Sequence, residues 1–189
     1  AILNQEAHRP WPLPSRGWAF WQSWQKLLFA HWPVDAEVLR PLIPAPLELD
    51  LHDGQAWIGS VPFELSIRPK FLPVAPRRGR FPEINVRTYV RHGDRQGGWF
   101  FSLDARQPVA CWGARTFFHL PYYWASMRMR RQGDLHRYWS KRHYDGGEFL
   151  GSYRPLEALD IPPPGSLLHF LTERYALFAQ HPKGEVLTA

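Results

Sequence analysis

FPEINVRTYV, residues 81–90, is the most regular stretch of the chain. Two kinds of side chain alternate along it: Ile84, Val86, Thr88 and Val90 occupy one parity, and Glu83, Asn85, Arg87 and Tyr89 occupy the other. Successive side chains of a strand point to opposite faces, so this period of two predicts a β-strand. One face of that strand would carry an acid, an amide, a guanidinium and a phenol.

This polar row of Glu83, Asn85, Arg87 and Tyr89 has two interpretations. On an open sheet the row is simply solvated. In a closed or nearly closed barrel it points inward and lines a wet cavity, because buried charges need partners. Glu83 and Arg87 would lie about 13 Å apart along the strand, so Asn85 or a ligand would have to bridge them.

Outward from this strand, the pattern indicates many short strands and few helices. Downstream we expect a turn at 91–98, a strand at 99–104, a helix at 108–119, a meander of strands at 124–131, 135–144 and 148–153, a helix at 166–171, and strands at 173–179 and 185–188. Upstream we expect a strand at 24–32, a helix at 35–40, a hairpin of 47–51 with 55–67, and a loop at 68–82. This order predicts an α+β or barrel fold, mostly antiparallel, with helices at its ends.

The 189 residues suit one domain. The proline-rich start has no regular pattern, and we expect an extended arm over residues 1–23 and a single domain over 24–189. A strand begins just before Ala189, which predicts that the natural chain continues. No run approaches the ~20 apolar residues of a membrane span, and no signal-peptide layout is present, so we expect a cytoplasmic protein.

Charge and composition leave several partners open. The formal net charge is +6, and only four of the 23 basic residues are lysines. Arginine suits carboxylates and phosphates, so small acids and nucleic acid are both candidate partners, although a coding bias would produce the same surplus. Cys111, the single cysteine, excludes an intramolecular disulfide and fits a packed thiol. The nine histidines form no metal-binding motif and no phosphate loop is present, so we expect neither a metal nor a cofactor.

A nucleic-acid interpretation depends on the meander. Basic and aromatic side chains alternate there: Arg128, Arg130, Arg131, Arg137, Lys141 and Arg142 with Tyr138, Trp139 and Tyr144. Strand parity weakens this interpretation, because Arg128 and Arg130 share a face in one strand, while Arg142 lies opposite to Arg137, Trp139 and Lys141 in the next. A solvated sheet surface is the simpler explanation, and we treat nucleic acid as an unlikely partner.

A second group of candidate residues follows the predicted helix at 108–119. The helix ends before Pro121, and Tyr122 and Tyr123 enter the next strand. Adjacent strand residues face opposite sides, so only one of the two tyrosines can share a cavity with the polar row. Near neutral pH a tyrosine acts as a hydrogen-bond donor or weak acid. Aromatic packing on a sheet surface is the alternative.

Several segments in order resemble a known family: LLFAHWPV at 27–34, LRPLIPAPLELD at 39–50, FPEINVRTYV, WFFSLDA at 99–105, ARTFFHLPYYWA at 114–125 and HFLTERYALFA at 169–179. Together they resemble the YqjF-like uncharacterised bacterial proteins of the acetoacetate-decarboxylase-like superfamily. The resemblance implies a β-barrel or cone around a central cavity, with a few peripheral helices. It therefore favours the inward interpretation of the polar row.

The resemblance also implies which activity is missing. The decarboxylases carry a lysine pair after a proline, one lysine forming a Schiff base, and the similar position here reads Leu120-Pro121-Tyr122-Tyr123. Their glutamate in the segment like FPEINVRTYV corresponds to Glu83. Their arginine falls at about Gln25, and their second glutamate falls around residues 59–60. Tyrosine supplies no amine, so Schiff-base decarboxylation should be absent.

These observations lead us to expect a cavity protein that binds a small carboxylate-bearing molecule. The candidate catalytic residues are Glu83, Tyr122 and Tyr123, and the candidate ligand-binding residues are Asn85, Arg87, Tyr89, Arg115 and His119. Arg115 and Arg174 are better explained as structural residues. Proton transfer on a keto or hydroxy acid, as in an isomerase or lyase, is one alternative function, and a basic nucleic-acid-binding module is the other. We expect no membrane partner and leave open a homo-oligomer.

Overall fold

The computed structural model describes residues 9–12, 17–70 and 80–188. Within these residues the chain forms eleven strands and three α-helices. In chain order they are β1 Phe20–Gln25, β2 Ala30–Val34, α1 Ala36–Leu39, β3 Glu48–Leu49, β4 Ala56–Pro69, β5 Arg80–His92, β6 Arg95–Ala105, α2 Pro108–Phe118, β7 Tyr122–Gln132, β8 Leu135–Arg142, β9 Glu148–Tyr153, α3 Leu167–Thr172, β10 Leu177–Gln180 and β11 Val186–Thr188.

One curled sheet contains all of these strands. Its main order is β1-β4-β5-β6-β7-β8-β9, with β2 on β4, β3 on β5, and β10 on β6 and β11. The pairs β6–β7 and β6–β10 are parallel, and the other pairs are antiparallel. Helix α2 is the crossover that brings β7 alongside β6, since parallel neighbours need such a connection. The sheet curls until Tyr153 Oη of β9 donates to the Lys26 carbonyl beyond β1. The expected α+β, mostly antiparallel architecture is confirmed.

Strand β5 lies at the centre and is covered on both faces. On one face, side chains of β4, β5 and β6 pack with α2 in a core of Val61, Phe63, Leu65, Phe81, Ala105 and Cys111. On the other face, Ile84 packs with Ala125, Met127 and Tyr138 of the meander. The alternation of β5 therefore separates two buried surfaces, and its polar row is not solvated.

The helix boundaries follow local signals in the sequence. The Asp35 carboxylate accepts from the Glu37 amide at 3.0 Å and caps α1. Pro108 stands at the start of α2, where its missing amide hydrogen costs nothing, and His119 ends this helix with φ of +53°. Ser166 Oγ accepts from the His169 amide at 3.2 Å and caps α3. All three helices lie where the sequence predicts them.

The predicted hairpin of 47–51 with 55–67 is wrong. Strand β3 pairs with β5 through Glu48–Arg91 and Leu49–Val90, while residues 52 and 55 form only an isolated bridge. At this height β4 is already paired with β2 on one edge and with β5 on the other. The end of β5 still has a free edge, and β3 occupies it.

Other boundaries also differ from the prediction. Residues 20–23, expected in the N-terminal arm, belong to β1, and the expected strand at 24–32 is two strands, because Lys26 turns the chain with φ of +56°. Strand β7 begins at Tyr122 rather than at residue 124, and β10 begins at Leu177 rather than at 173. Of the predicted loop at 68–82, residues 71–79 lie outside the described part.

No helix in the described part of the chain is long and apolar enough to cross a membrane. The cytoplasmic location and the single domain over the rest of the chain stay predictions.

Candidate functional site

The polar row is buried along the middle of β5. The exposed fractions of Glu83, Asn85, Arg87 and Tyr89 are 2%, 0%, 7% and 0%. Glu83 stands between Phe63 of β4 and Ala105 of β6. Asn85 stands in the same way between Val61 and Leu103. The row is thus a polar strip with apolar neighbours on both adjacent strands.

Tyr122 shares the side of the sheet that carries Glu83. Its Oη donates to Glu83 Oε1 at 3.1 Å. Burial raises the pKa of Glu83 to about 8, against the opposing effect of the Tyr122 hydrogen bond and with a small addition from Asp104. Burial and the nearby Glu83 charge raise the pKa of Tyr122 as well. At neutral pH Glu83 is therefore mostly a protonated acid, and it can lose its proton slightly above that pH.

Tyr123 points to the opposite side, as strand parity requires. Its ring lies 4.4 Å from the Arg142 guanidinium and 5.7 Å from that of Arg115. Only one of the two tyrosines shares the side of the polar row, as the sequence predicts. Tyr122 contacts the row, and Tyr123 packs against two arginines on the other side of the strand.

Several polar atoms of the row have no hydrogen-bond partner in the described part of the protein. They are Glu83 Oε2, Asn85 Oδ1, Asn85 Nδ2 and Arg87 Nε. The Arg87 guanidinium lies over the rings of Phe29 and Tyr89 at 5.4 and 5.7 Å, and no ion pair joins it to a described carboxylate. A buried polar group without a partner costs about 1–3 kcal/mol. The row thus presents an acid, an amide and a cation that can still bind something polar.

His31 of β2 was not identified from the sequence, although it contacts the end of the row. Tyr89 Oη donates to the Leu171 carbonyl at 2.8 Å and lies 2.6 Å from His31 Nε2. A phenol has one proton, so His31 Nε2 must carry the hydrogen in the second bond. Burial, aided by the Arg87 charge, lowers the pKa of His31 to about 4, so the imidazole is neutral.

Gly59 makes room for this histidine. A Cβ at Gly59 would stand 2.9 Å from His31 Cδ2. The glycine lies where the resemblance puts a missing glutamate of the decarboxylases, and the His31 ring occupies the space beside it. Only the pairing of His31 with Gly59 across β2 and β4 reveals this, because the two residues lie in separate strands.

Arg174 is held by protein groups on every side. Its Nη1 lies 2.6 Å from Asp50 Oδ2, its Nε donates to the Phe170 carbonyl at 2.6 Å, and it stacks on the Phe170 ring at 4.1 Å. These contacts fit the structural role expected for it.

Arg115 and His119 do not join the polar row. Together with Tyr123 and His181 they line an open surface cavity of about 430 Å³. The rings of His119 and His181 lie 4.6 Å apart, and Arg115 Nη1 donates to the Tyr122 carbonyl at 3.3 Å. Arg115, His119 and Tyr123 therefore lie apart from the polar row, and a binding or catalytic role for them stays a prediction.

The other groups that could take part in chemistry are metal-ligating side chains, Cys111 and the lysines. In the described residues, no group of three or more histidine, cysteine, aspartate or glutamate side chains could hold a metal ion. Cys111 is buried near the Ala105 and Tyr123 carbonyls, and burial raises its pKa to about 11. Lys26 pairs with Glu64 at 3.1 Å, Lys70 lies over the Trp18 ring, and the other two lysines are exposed. No described contact joins a lysine to Glu83 or Tyr122.

A known protein family covers most of the chain. The profile of DUF2071, described as an uncharacterized conserved protein, matches residues 21–189. The chain belongs to the DUF2071 family. One member, the uncharacterized protein YqjF of Bacillus subtilis, is 47% identical over 171 residues, which cover 89% of this chain and 71% of YqjF. The resemblance seen in the sequence is confirmed.

The DUF2071 chain is also similar in fold to solved structures. Acetoacetate decarboxylase from Legionella pneumophila matches with a TM-score of 0.58 at 16% identity, over 98% of this chain and 71% of the enzyme. An acetoacetate decarboxylase-like enzyme from Sphingomonas wittichii matches with a TM-score of 0.62 at 18% identity, over 89% of this chain and 69% of the enzyme. The enduracididine biosynthesis enzyme MppR, complexed with the condensation product of pyruvate and imidazole 4-carboxaldehyde, matches with a TM-score of 0.62 at 14% identity. The match covers 93% of this chain and 69% of MppR. The DUF2071 chain therefore has the acetoacetate-decarboxylase-like fold.

Proposed function

We propose that this DUF2071 protein binds a small carboxylate-bearing organic molecule at the polar row, and that it does so without Schiff-base chemistry. One observation carries the proposal: Arg87 is a buried cation with no described carboxylate beside it, on a strand whose Asn85 and Glu83 also keep unpartnered atoms. A buried guanidinium needs an anion or an equivalent set of hydrogen bonds. A carboxylate ligand supplies both.

The chemistry of the row supports a keto or hydroxy acid in particular. Arg87 would hold the ligand carboxylate, since its planar fork matches two carboxylate oxygens. Asn85 can donate to one ligand oxygen and accept from another group. Glu83, mostly protonated at neutral pH, can donate to a carbonyl or hydroxyl. MppR, which has this fold, is known in complex with pyruvate, and a keto acid of that class offers each of these three groups a partner.

A thermal-shift screen tests the proposal. We expect pyruvate, acetoacetate or lactate at 10 mM to raise the melting temperature, and acetone, which lacks the carboxylate, to leave it unchanged. Arg87→Gln should remove the shift because it deletes the cation. Arg115→Gln, a matched arginine on the surface cavity, should keep it.

Native mass spectrometry of the unaltered protein provides a second measurement. It should detect a bound small acid after purification or after incubation with pyruvate. No thermal shift by any acid and no bound acid in the wild-type protein would disprove carboxylate binding. A full shift in Arg87→Gln would remove Arg87 from the site.

Proton transfer on a bound keto acid is the second candidate function, and the Glu83–Tyr122 pair favours it. Their 3.1 Å contact joins a carboxyl whose pKa is about 8 to a phenol that can donate. A general base works best when its pKa lies near the working pH. In this reaction Glu83 carboxylate would take a proton from the carbon next to the ketone, and Tyr122 would donate to the developing enolate oxygen.

Deuterium exchange into the methyl group of pyruvate, followed by NMR in heavy water, measures this activity. The rate should rise as pH increases toward and through about 8, because the ionised form of Glu83 is the base. Glu83→Gln should lower the rate by about 100-fold or more, while Tyr144→Phe, at an exposed tyrosine, should not change it. A protein that binds pyruvate but exchanges no faster than buffer is a binding protein only.

A further inference from the structure

The outer face of the meander collects basic side chains that the sequence places in separate strands. We name Arg128, Arg130 and Arg137 the arginine triad. The pairing of β7 with β8 sets Arg130 directly opposite Arg137, and Arg128 directly opposite Trp139. Directly opposite residues on neighbouring strands point to the same face of the sheet. The three arginines and Trp139 therefore share the outer face, although they come from two strands. All three arginines are exposed.

The triad lacks the carboxylate partners that two other arginines of the meander have. Arg131 pairs with Asp134, and Arg142 pairs with Asp104 and Asp145. No ion pair joins a triad residue to any carboxylate in the described parts of the chain. Glu148 lies on this face of the meander, but it accepts from Trp139 Nε1 at 2.6 Å.

This arrangement is unfavourable for the isolated protein. Like charges directly opposite each other on neighbouring strands destabilise a sheet, and Arg130 with Arg137 is such a pair. The same spacing is favourable for a ligand that carries several negative charges. The triad therefore indicates a polyanionic ligand rather than a monocarboxylate.

The outer face also has an open surface cavity beside the triad. This cavity, about 400 Å³ in volume, is lined by Arg128, Arg130, Arg137, Tyr138, Trp139 and Leu150. That volume lies in the range of small-molecule pockets, roughly 300–1,000 Å³. Leu150 stands directly opposite Trp139 and is 78% exposed. The cavity thus joins three cations to an aromatic and aliphatic wall.

We propose that the arginine triad and this wall form a second binding site, for a small organic diphosphate or triphosphate such as a nucleoside triphosphate. Arg128 and Arg130 lie about 7 Å apart along β7, and Arg137 lies about 5 Å across from Arg130. These spacings suit neighbouring phosphates, which arginine binds through two parallel hydrogen bonds. Trp139 and Leu150 contact the ring of the ligand. The triad spans too few residues to follow a long nucleic-acid backbone.

Isothermal titration calorimetry in low salt tests this site with ATP, pyrophosphate and adenosine. ATP and pyrophosphate should bind, and adenosine should not. Arg130→Gln and Arg137→Gln should each weaken ATP binding by about tenfold or more, the effect of losing hydrogen bonds to a charged group. Arg95→Gln, an exposed strand arginine outside the meander, should leave ATP binding unchanged. Leu150→Ser should weaken the binding of ATP but not of pyrophosphate.

Folding of the variants is checked by thermal melting. Because Arg130→Gln and Arg137→Gln each remove a like-charge pair, their melting temperatures should equal or exceed that of the unaltered protein. The site is disproved if ATP and pyrophosphate give no binding heat at millimolar concentration. Equal weakening in Arg95→Gln also contradicts it, since binding would then follow net charge alone. Preferential binding of a 12-nucleotide single strand over ATP would replace the proposal with a nucleic-acid surface.

Discussion

Asn85 is fully buried, yet neither of its amide atoms has a hydrogen-bond partner among the described residues. Gln55 shows the usual arrangement, since its amide donates to the Val34 and Ala56 carbonyls at 2.7 and 2.9 Å. The unpartnered amide at the centre of β5 therefore destabilises the free protein. In the proposed function, a bound polar ligand supplies the missing partners of this amide.

Substitution of Asn85 by leucine tests whether the unpartnered amide lowers the stability of the free protein. Leucine has the same branched skeleton without polar atoms, so Asn85→Leu should stabilise the free protein by about 1–3 kcal/mol. The variant should also lose the thermal shift given by keto acids. Gln55→Met, which removes a bonded amide, should lower the melting temperature. A lower melting temperature for Asn85→Leu would contradict the cost assigned to this amide.

The raised pKa of Glu83 predicts how stability depends on pH. An unfolded glutamate has a pKa of 4.5, and the folded one has a pKa of about 8. Between these values the folded protein binds the extra proton, so raising the pH from 4.5 to 8 should destabilise it, by on the order of a few kcal/mol in total. Below 4.5 this contribution is fully present, and above 8 it is lost.

Melting curves between pH 5.5 and 8.5 measure this effect. The melting temperature of the unaltered protein should fall with pH more steeply than that of Glu83→Gln, which does not titrate. His31 has the opposite slope, because its pKa is lowered to about 4 and its stabilisation is lost as pH falls from 6.5 toward 4. Parallel curves for the two proteins would show that Glu83 is ionised at neutral pH.

At the scale of elements, the contact of β6 with β10 depends on a close approach of two backbones. Gly98 donates to the Ala176 carbonyl at 2.9 Å, and a Cβ on the neighbouring Gly97 would stand 2.5 Å from that carbonyl oxygen. A backbone oxygen cannot swing away as a flexible side chain can. The glycine is thus what allows β10 to pair with β6.

Two alanine substitutions of glycine should therefore have opposite effects. Gly97→Ala should lower the melting temperature, because β10 must move off β6. Gly113→Ala should raise stability by about 0.5–1 kcal/mol, since Gly113 lies in α2 and its Cβ would meet nothing within 4 Å. Chemical denaturation measures both changes, and a neutral Gly97→Ala would contradict the tight β6–β10 contact.

At the scale of the whole molecule, the fold is shared with acetoacetate decarboxylases, and the proposed function excludes their lysine chemistry. All four lysines of the chain lie in described residues, and none contacts Glu83 or Tyr122. Borohydride treatment with acetoacetate or pyruvate should therefore leave the mass of the protein unchanged, and acetoacetate should not be decarboxylated. A trapped adduct on any lysine would show that the Tyr122-Tyr123 position is not where the amine is needed.

Much of the local structure could be read from single segments. The alternation in 81–90 identified β5, Asp35 and Ser166 marked two helix starts, and Pro108 with Pro121 bounded α2. These signals act over a few residues, and the folded protein keeps the local structure that they predict. The hairpin prediction failed because the partner of β3 depends on which strand edges other elements have already taken.

The sequence by itself determined the strand that carries Glu83, Asn85 and Arg87, the family to which the chain belongs, and the two tyrosines that follow Pro121. Tertiary structure alone decided that both faces of β5 are buried, that Tyr122 and not Tyr123 meets Glu83, that His31 completes the row, and that Arg130 faces Arg137. The physical reason is the distance along the chain over which each interaction acts. Periodicity and helix capping act within one segment. Burial and cross-strand neighbours depend on the pairing of segments that are far apart in sequence, and the sequence of one strand does not specify the register of its partner.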